Sequence, residues 1–413
     1  MGIGVHTISW RMLAAGVVTA AVFLGIAVSV WGDGPAGFPV AGSVILSVAE
    51  KGDLIAVSSC NADYSKCYVQ IFKADGTVVC ASLPEAKGPV YKLIFSEDGT
   101  LLMGFDSATD QEGDRGIAWK VEGCSFSHEF GKGGVTTGDD MAVDPAIPPT
   151  PAPFVIVEGG GPGCILIMDV DGNIIAKRCV IDPRYAQGTS PITDIVKCPR
   201  YIVAVGGQGQ KYACVIDTIP SSSGSGWTIG QQCRKIPLVD DGRRIGTSPY
   251  CKQTVIVTLG KGAYVGPITD PPKSIPKPTK LPESEGFDKC EFMDENTVAC
   301  TSQRGEVRIW VWDGKTWKKK ATHSVCSGAI TAVTPGKGGT VLVGCGGAVY
   351  RVSQTGVVPP PITTPTPTKT SSVTPPPSES PTPTSSATPT PTATVSVSPT
   401  PTLTPTPSTS PVV

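Results

Sequence analysis

Four stretches of the chain repeat one pattern. Residues 69–79 read VQIFKADGTVV, 116–126 GIAWKVEGCSF, 165–175 ILIMDVDGNII and 307–317 VRIWVWDGKTW. In each, an apolar run meets an Asp-Gly or Glu-Gly pair in the same column and turns apolar again, the strongest short signal for a β-hairpin. A second corner recurs upstream. Ser96-Glu97-Asp98-Gly99 precedes Thr100 to Phe105, Met293-Asp294-Glu295-Asn296 precedes Thr297 to Thr301, and Thr334-Pro335-Gly336 precedes Thr340 to Gly344. One unit therefore holds a buried run, a turn, a short Val/Leu-rich strand, a loop and the Asp-Gly hairpin, which makes four strands in roughly 40 to 50 residues.

The first corner, Ser-x-Asp-Gly-x-apolar, and the run Ile309-Trp310-Val311-Trp312-Asp313 resemble the WD-repeat propellers in divergent form, over about Phe38 to Val358. One unit keeps the Trp-Asp pair and none carries the family's Gly-His element. The resemblance implies an all-β fold, a seven-bladed β-propeller of four-stranded antiparallel blades. Buried runs opening near Val44, Val90, Met141, Ile192, Ile245, Phe287 and Ile330 give seven units of about 46 residues. Unit three carries a proline insert at Ile147-Pro148-Pro149-Thr150-Pro151, and unit five has Pro271, Pro272, Pro276, Pro278 and Pro282 where a fourth strand belongs. Proline donates nothing to a ladder, so that strand is an edge or absent. Closure is expected to recruit residues near Phe38 to Val40, or Gly356 to Val358, because an open ring would leave strand edges unpaired.

Three segments follow: residues 1–34 as a signal anchor or signal peptide, 35–358 as the repeat domain, and 359–413 as a tail. Met12 to Trp31 carries no charge, follows Arg11 and precedes Asp33. Such a run is long enough for a hydrophobic helix to span a bilayer, and the lone Arg favours an inside N-terminus. Ala27-Val28-Ser29 also offers a small-residue cleavage pattern. Either way the repeats are exported, to the cell surface or beyond it. The tail holds 17 Pro and 27 Ser or Thr, with Lys369 and Glu379 its only charges. With no apolar surface to offset chain entropy it is expected to be disordered, a mucin-like candidate for O-glycosylation. Asn61, Asn173 and Asn296 are the only asparagines and none begins an N-glycosylation sequon.

All 14 cysteines fall between Cys60 and Cys345, an even number within the exported segment, as an oxidising compartment selects. Cys164 and Cys179 are equidistant from the Asp171-Gly172 corner, Cys214 and Cys233 from Ser223-Gly224, and Cys326 and Cys345 from Pro335-Gly336. Cys60 with Cys67 and Cys290 with Cys300 span short loops. Cys198 with Cys251, both at first turns, and Cys80 with Cys124, both in fourth strands, would pair between neighbouring units. A zinc site has no Cys-x-x-Cys to build on.

Catalytic signals are sparse. Of three histidines, His6 precedes the apolar run, and no spacing links His128 or His323 to a nucleophile or metal. Asp169-Val170-Asp171-Gly172-Asn173 has the alternation of a calcium loop, but its Asp-Gly occupies the hairpin column. Asp313-Gly314-Lys315-Thr316-Trp317 falls one residue short of a sialidase Asp-box and sits in that column too. The glycines at 159–161 and 206–207 read as turns, since no helix follows. Asp139-Asp140 and Asp240-Asp241 are the visible carboxylate pairs for glycoside chemistry. Lys315, Lys318, Lys319 and Lys320 flank Trp317, but net charge is −1 and no wide basic stripe exists, so nucleic acid is not an expected partner. No catalytic, metal or cofactor residue is assigned. The expected function is non-catalytic binding of a protein or glycan through the loops. The alternatives are a carbohydrate-active enzyme using paired carboxylates, or a structural coat protein.

Overall fold

Alternating apolar residues make strands, and corner residues that tolerate positive φ make the turns between them. The computed structural model describes residues 37–86, 88–96, 98–106, 115–130, 141–143, 155–159, 164–168, 174–179, 192–198, 201–206, 211–220, 227–230, 233–268 and 277–360. Among these, thirty strands form seven antiparallel sheets. Sheets I to VI span residues 44–80, 90–130, 141–179, 192–237, 242–280 and 287–324, and sheet VII spans 330–358 with Phe38–Pro39 added. The described residues are all-β, and each sheet is a meander of four strand positions.

The first strands are Val44–Lys51, Val90–Phe95, Met141–Val143, Ile192–Lys197, Gly242–Thr247, Phe287–Asp294 and Ile330–Gly336. Six open on the expected residue. The fifth opens at Gly242, before the expected Ile245, because Arg243 and Arg244 belong to the strand. The proline-rich stretch of sheet V leaves a fourth strand of two residues, Thr279–Lys280.

The corners work through their carboxylates. Ser96 Oγ and Thr100 N–H both donate to Asp98 Oδ1, at 2.6 and 3.0 Å, and Gly99 takes φ +73°. Thr77 N–H donates to Asp75, and Lys315 and Thr316 N–H donate to Asp313. These bonds hold the three carboxyls below the usual range, with Ser96 the main cause at Asp98, Thr77 at Asp75 and Lys318 at Asp313. The last first-corner moves. Pro335 and Gly336 extend the strand, and the turn falls on Lys337, Gly338 and Gly339, the two glycines at φ +67°. The corner at Asp171-Gly172 and the insert at 147–151 lie outside the described residues.

The connections between sheets repeat as well. Leu83, Leu238, Leu281 and Val325 are buried and donate their N–H to Val69, Lys211, Ala263 and Gly305 respectively. Two of these connections begin with the same tripeptide, Leu83-Pro84-Glu85 and Leu281-Pro282-Glu283. Each receives an indole bond from the third strand of the following sheet, Trp119 Nε1–H to Pro84 O at 2.6 Å and Trp310 Nε1–H to Pro282 O at 2.9 Å. Both indoles are fully buried, so each Trp fills the space between sheets while its one donor is satisfied.

Apolar cores lie between neighbouring sheets, as Ile71, Leu93 and Trp119 do between I and II and Val255, Phe292 and Trp310 between V and VI. The first strand of each sheet packs against the first strand of the next, from I through to VII, and that of VII packs against that of I. There Ile45, Val57 and Phe72 meet Ala332, Leu342 and Val349. The approach is close enough that a Cβ on Gly344 would sit 2.5 Å from Ile45 Cγ2. The outer edge of Ala348–Ser353 carries both ends of the repeat domain, Phe38 and Pro39 pairing with Val349 and Ala348, and Gly356 to Val358 pairing with Ser353 to Arg351. Where either end was expected to complete the last sheet, both do so, end to end.

Disulfides join Cys60–Cys67, Cys80–Cys124, Cys198–Cys251, Cys214–Cys233, Cys290–Cys300 and Cys326–Cys345. Cys80–Cys124 and Cys198–Cys251 tie sheet I to II and IV to V, although Cys124 occupies a turn at φ +51° rather than a fourth strand. Two placements differ from simple centring on the hairpin. Cys214 lies opposite Lys235, so its bond to Cys233 is diagonal, within the reach of cross-strand diagonal neighbours. Cys345 lies opposite Ile330, and Cys326 reaches it from the connection ahead of that strand. Cys164 and Cys179 are direct register partners in sheet III, though a bulge intervenes between them and the corner; their side chains lie outside those described. Peptide mapping without reduction is expected to recover a seventh bond, Cys164 to Cys179. Alkylation of either cysteine in the unreduced chain would refute it.

Candidate functional site

The first strands share a second irregularity. In six of the seven sheets the register against the second strand slips near the start, at Leu46, Tyr91, Thr193, Arg243, Asp288 and Thr331. Each is a β-bulge, which inserts one unpaired residue and re-aims the side chains beside it. The next residues form a column: Ser47, Lys92, Asp194, Arg244, Lys289 and Ala332.

That column lines one cavity of roughly 550 Å³, with walls from the first strands of sheets I, II, IV, V, VI and VII. Its charged groups are Lys92, Asp194, Arg244, Asp288, Lys289 and Glu291. Tyr64, from the loop between the second and third strands of sheet I, and the bulge residue Tyr91 add two aromatic rings, 46 % and 51 % exposed. The side chains of Met141–Val143 in sheet III lie outside those described.

The column also stitches one first strand to the next. Ser47 Oγ accepts from Leu93 N–H at 2.9 Å. Asp194, 5 % exposed, accepts from Ile195 N–H at 3.0 Å and from Ile245 N–H of the next sheet at 2.8 Å. Arg244 Nη1 donates back to Thr193 O at 3.3 Å, and Lys289 Nζ donates to Thr331 O of sheet VII. Glu291 lies over Gly246, where a Cβ would come within 2.7 Å of its Oε2. The polar wall is thus structural in part, since its side chains bond backbone groups of neighbouring first strands across the gap.

Lys289 is held uncomfortably. Burial first, then Arg244 and Lys92, pull its amine from 10.5 down to about 8, against the opposing pull of Asp194 and Asp288. A lowered lysine destabilises the fold while it is protonated, here by a few kcal/mol at neutral pH as an order of magnitude, and that penalty is relieved as pH rises from about 8 towards 10.5. The wall therefore spends fold stability to keep a third cation in the cavity.

The other candidates lie elsewhere. Asp241 O accepts from Leu259 N–H at 3.0 Å, and neither Asp240 nor Asp241 lines the cavity; Asp139-Asp140 and Asp169 to Asn173 lie outside the described residues. His323 Nε2 is 3.3 Å from Gln354 O and His128 Nδ1 is 3.1 Å from Ser127 Oγ. In the basic cluster, Lys315 sits in the hairpin turn and Lys318, Lys319 and Lys320 lie on the outer strand Trp317–Ser324 of sheet VI. Trp317 is buried against Phe292 and Trp312, Lys318 pairs with Asp313 at 2.6 Å, and Lys319 pairs with Glu283. Among the described residues no group of three or more His, Cys, Asp or Glu is arranged to hold a metal, and no helix is long and apolar enough to cross a membrane; Met12 to Trp31 lies outside them. No protein-family model matches the chain, and no curated protein matches it.

Proposed function

We propose that the seven sheets are the blades of an exported, WD-repeat-like β-propeller that binds a protein or glycan partner without transforming it. The single observation behind this reading is the cyclic succession of first strands, in which sheet VII returns to sheet I and both ends of the repeat domain complete one sheet. Propellers close in this way and present broad faces built from loops, and fold alone does not name the ligand. Six disulfides suggest an oxidising, extracellular environment. Residues 12–31, as anchor or cleaved signal, deliver the domain there, and the Pro/Thr/Ser tail is a hydrated and O-glycosylated spacer.

An enzymatic reading has one observation in its favour. Asp194, Asp288 and Glu291 line one cavity, and glycoside hydrolysis needs two carboxylates on one site. Asp194 argues against it, because its two oxygens already accept backbone N–H groups. The deciding experiment applies the oxidised full chain to an immobilised glycan array and to a cell-surface protein library, and assays the captured glycans for reducing ends. The expected outcome is retention of a defined glycan or protein with no release of reducing sugar. Turnover of a glycan would replace binding with hydrolysis as the function.

A further inference from the structure

The central cavity combines three features. Three cations, Lys92, Arg244 and Lys289, are contributed by three different sheets. Three carboxylates, Asp194, Asp288 and Glu291, interleave with them. Tyr64 and Tyr91 stand half exposed on the same wall. We propose that this cavity is the binding site for a carboxylate-bearing monosaccharide, a uronic acid in chemical class. This deepens the glycan-binding reading above and rests on it.

The charge pattern selects among ligands. A phosphate or sulfate would answer the cations but would bring no hydroxyl donors to the carboxylates, which would repel it. A neutral sugar would offer hydroxyls to the carboxylates but no charge to the cations. A uronate carries one monoanionic group beside several hydroxyls, so it can accept from Lys289 or Arg244 while donating to Glu291 or Asp288. Its ring has apolar faces that a half-exposed tyrosine can cover. The volume lies within the range of small-ligand sites, and polar groups supplied by several sheets fix orientation as well as affinity.

Proton linkage supplies an independent handle. The groups facing Lys289 are Arg244 and Asp194 from sheets V and IV, Lys92 from sheet II, and Asp288 and Glu291 from its own strand. The Lys289 amine, drawn down to about 8 by burial and by Arg244 and Lys92, binds an anion only while protonated. Affinity should therefore be full at pH 6.5 and fall as the medium passes through 8.

The test is calorimetric titration of the oxidised full chain with glucuronate, glucose and inorganic phosphate. Glucuronate is expected to bind at pH 6.5, with glucose and phosphate at least tenfold weaker, and its affinity is expected to drop at least fivefold at pH 9.5. Lys289→Met and Arg244→Gln are each expected to lose at least tenfold, and Tyr91→Ala about threefold or more. If a charge variant fails to fold, Tyr91→Ala and the pH series decide, because Tyr91 is 51 % exposed. The proposal is overturned if glucuronate does not bind, if glucose binds as well, or if these substitutions and pH leave its affinity unchanged. Capture of some other glycan or of a protein on the array in that event would leave the binding-module reading standing, so the two readings fail separately.

Discussion

Glu50→Ala is expected to lower the unfolding free energy of the oxidised chain by about 3 kcal/mol, the lower end of what removal of one partner from a buried ion pair costs. Glu50 lies in the first strand of sheet I, its side chain 3 % exposed. Arg351 of sheet VII grips it with both terminal nitrogens, Nη2 to Oε1 at 2.6 Å and Nη1 to Oε2 at 3.2 Å. Lys337 N–H in the adjoining turn donates to Oε2 at 2.8 Å, so one carboxylate answers two elements of the last sheet. Alanine would leave Arg351, 18 % exposed, with its charge largely desolvated and no counter-ion. That residual exposure is why the lower end of the range applies. Glu50→Gln keeps an acceptor and should cost less. Urea unfolding measures the loss, and hydrogen exchange should localise the weakening to Val44–Lys51 and Ile330–Gly336. A change under about 0.5 kcal/mol, the size expected of an ordinary surface substitution, would show that the pair does not hold this junction.

Reduction should have the larger effect. By the chain-entropy account a disulfide closing about 50 residues contributes about 4 kcal/mol, and one closing fewer than ten about 2.5. Cys80–Cys124 and Cys198–Cys251 are of the first kind, with separations of 44 and 53, and Cys60–Cys67, with a separation of 7, is of the second. Even after allowance for strain and residual structure in the unfolded chain, six such bonds rival the ~5 to 15 kcal/mol of net stability usual for a folded protein. The reduced chain is therefore expected to lose its cooperative thermal transition, followed by circular dichroism in dithiothreitol. Loss of one long-loop bond through paired Cys198→Ser and Cys251→Ser substitutions should shift the transition more than loss of Cys60–Cys67. A reduced chain that melted within a few degrees of the oxidised one would leave the cysteines without their assigned role.

Much of this architecture was legible because local rules wrote it. Asp75, Asp98 and Asp313 announce corners, and the apolar runs after them announce strands, since both depend on neighbours a few residues away. Two departures have separate causes. The fifth first strand was placed late because Arg243 and Arg244 look like loop, yet they belong to a strand whose inner side faces a polar cavity rather than a core. Thr334-Pro335-Gly336 has the composition of a turn, but Gly338 and Gly339 supply the positive φ just beyond it, and Pro335 is tolerated because Ile330–Gly336 is an edge strand of its sheet. Cysteine bonds followed from placement in adjoining elements more than from counting, as the diagonal Cys214–Cys233 shows. The cavity was invisible to motif reading. Six of the sheets contribute one residue each after a bulge, and Lys92, Asp194, Arg244 and Lys289 are separated by one or two units, so no short spacing joins them. In hindsight the signal was a polar residue two or three places into each apolar run, as in Val90-Tyr91-Lys92-Leu93 and Ile192-Thr193-Asp194-Ile195.

The shared outer edge of sheet VII has a mechanical consequence. Tension applied between residue 38 and residue 358 enters and leaves through the two short segments that flank Ala348–Ser353, so the load path crosses one sheet and bypasses the other six. A module tethered at one end and pulled at the other would give way first at Phe38 and Pro39, which hold the edge by two residue pairs. The cavity-lining strands of sheets II, IV, V and VI would feel no pull until that zipper had opened.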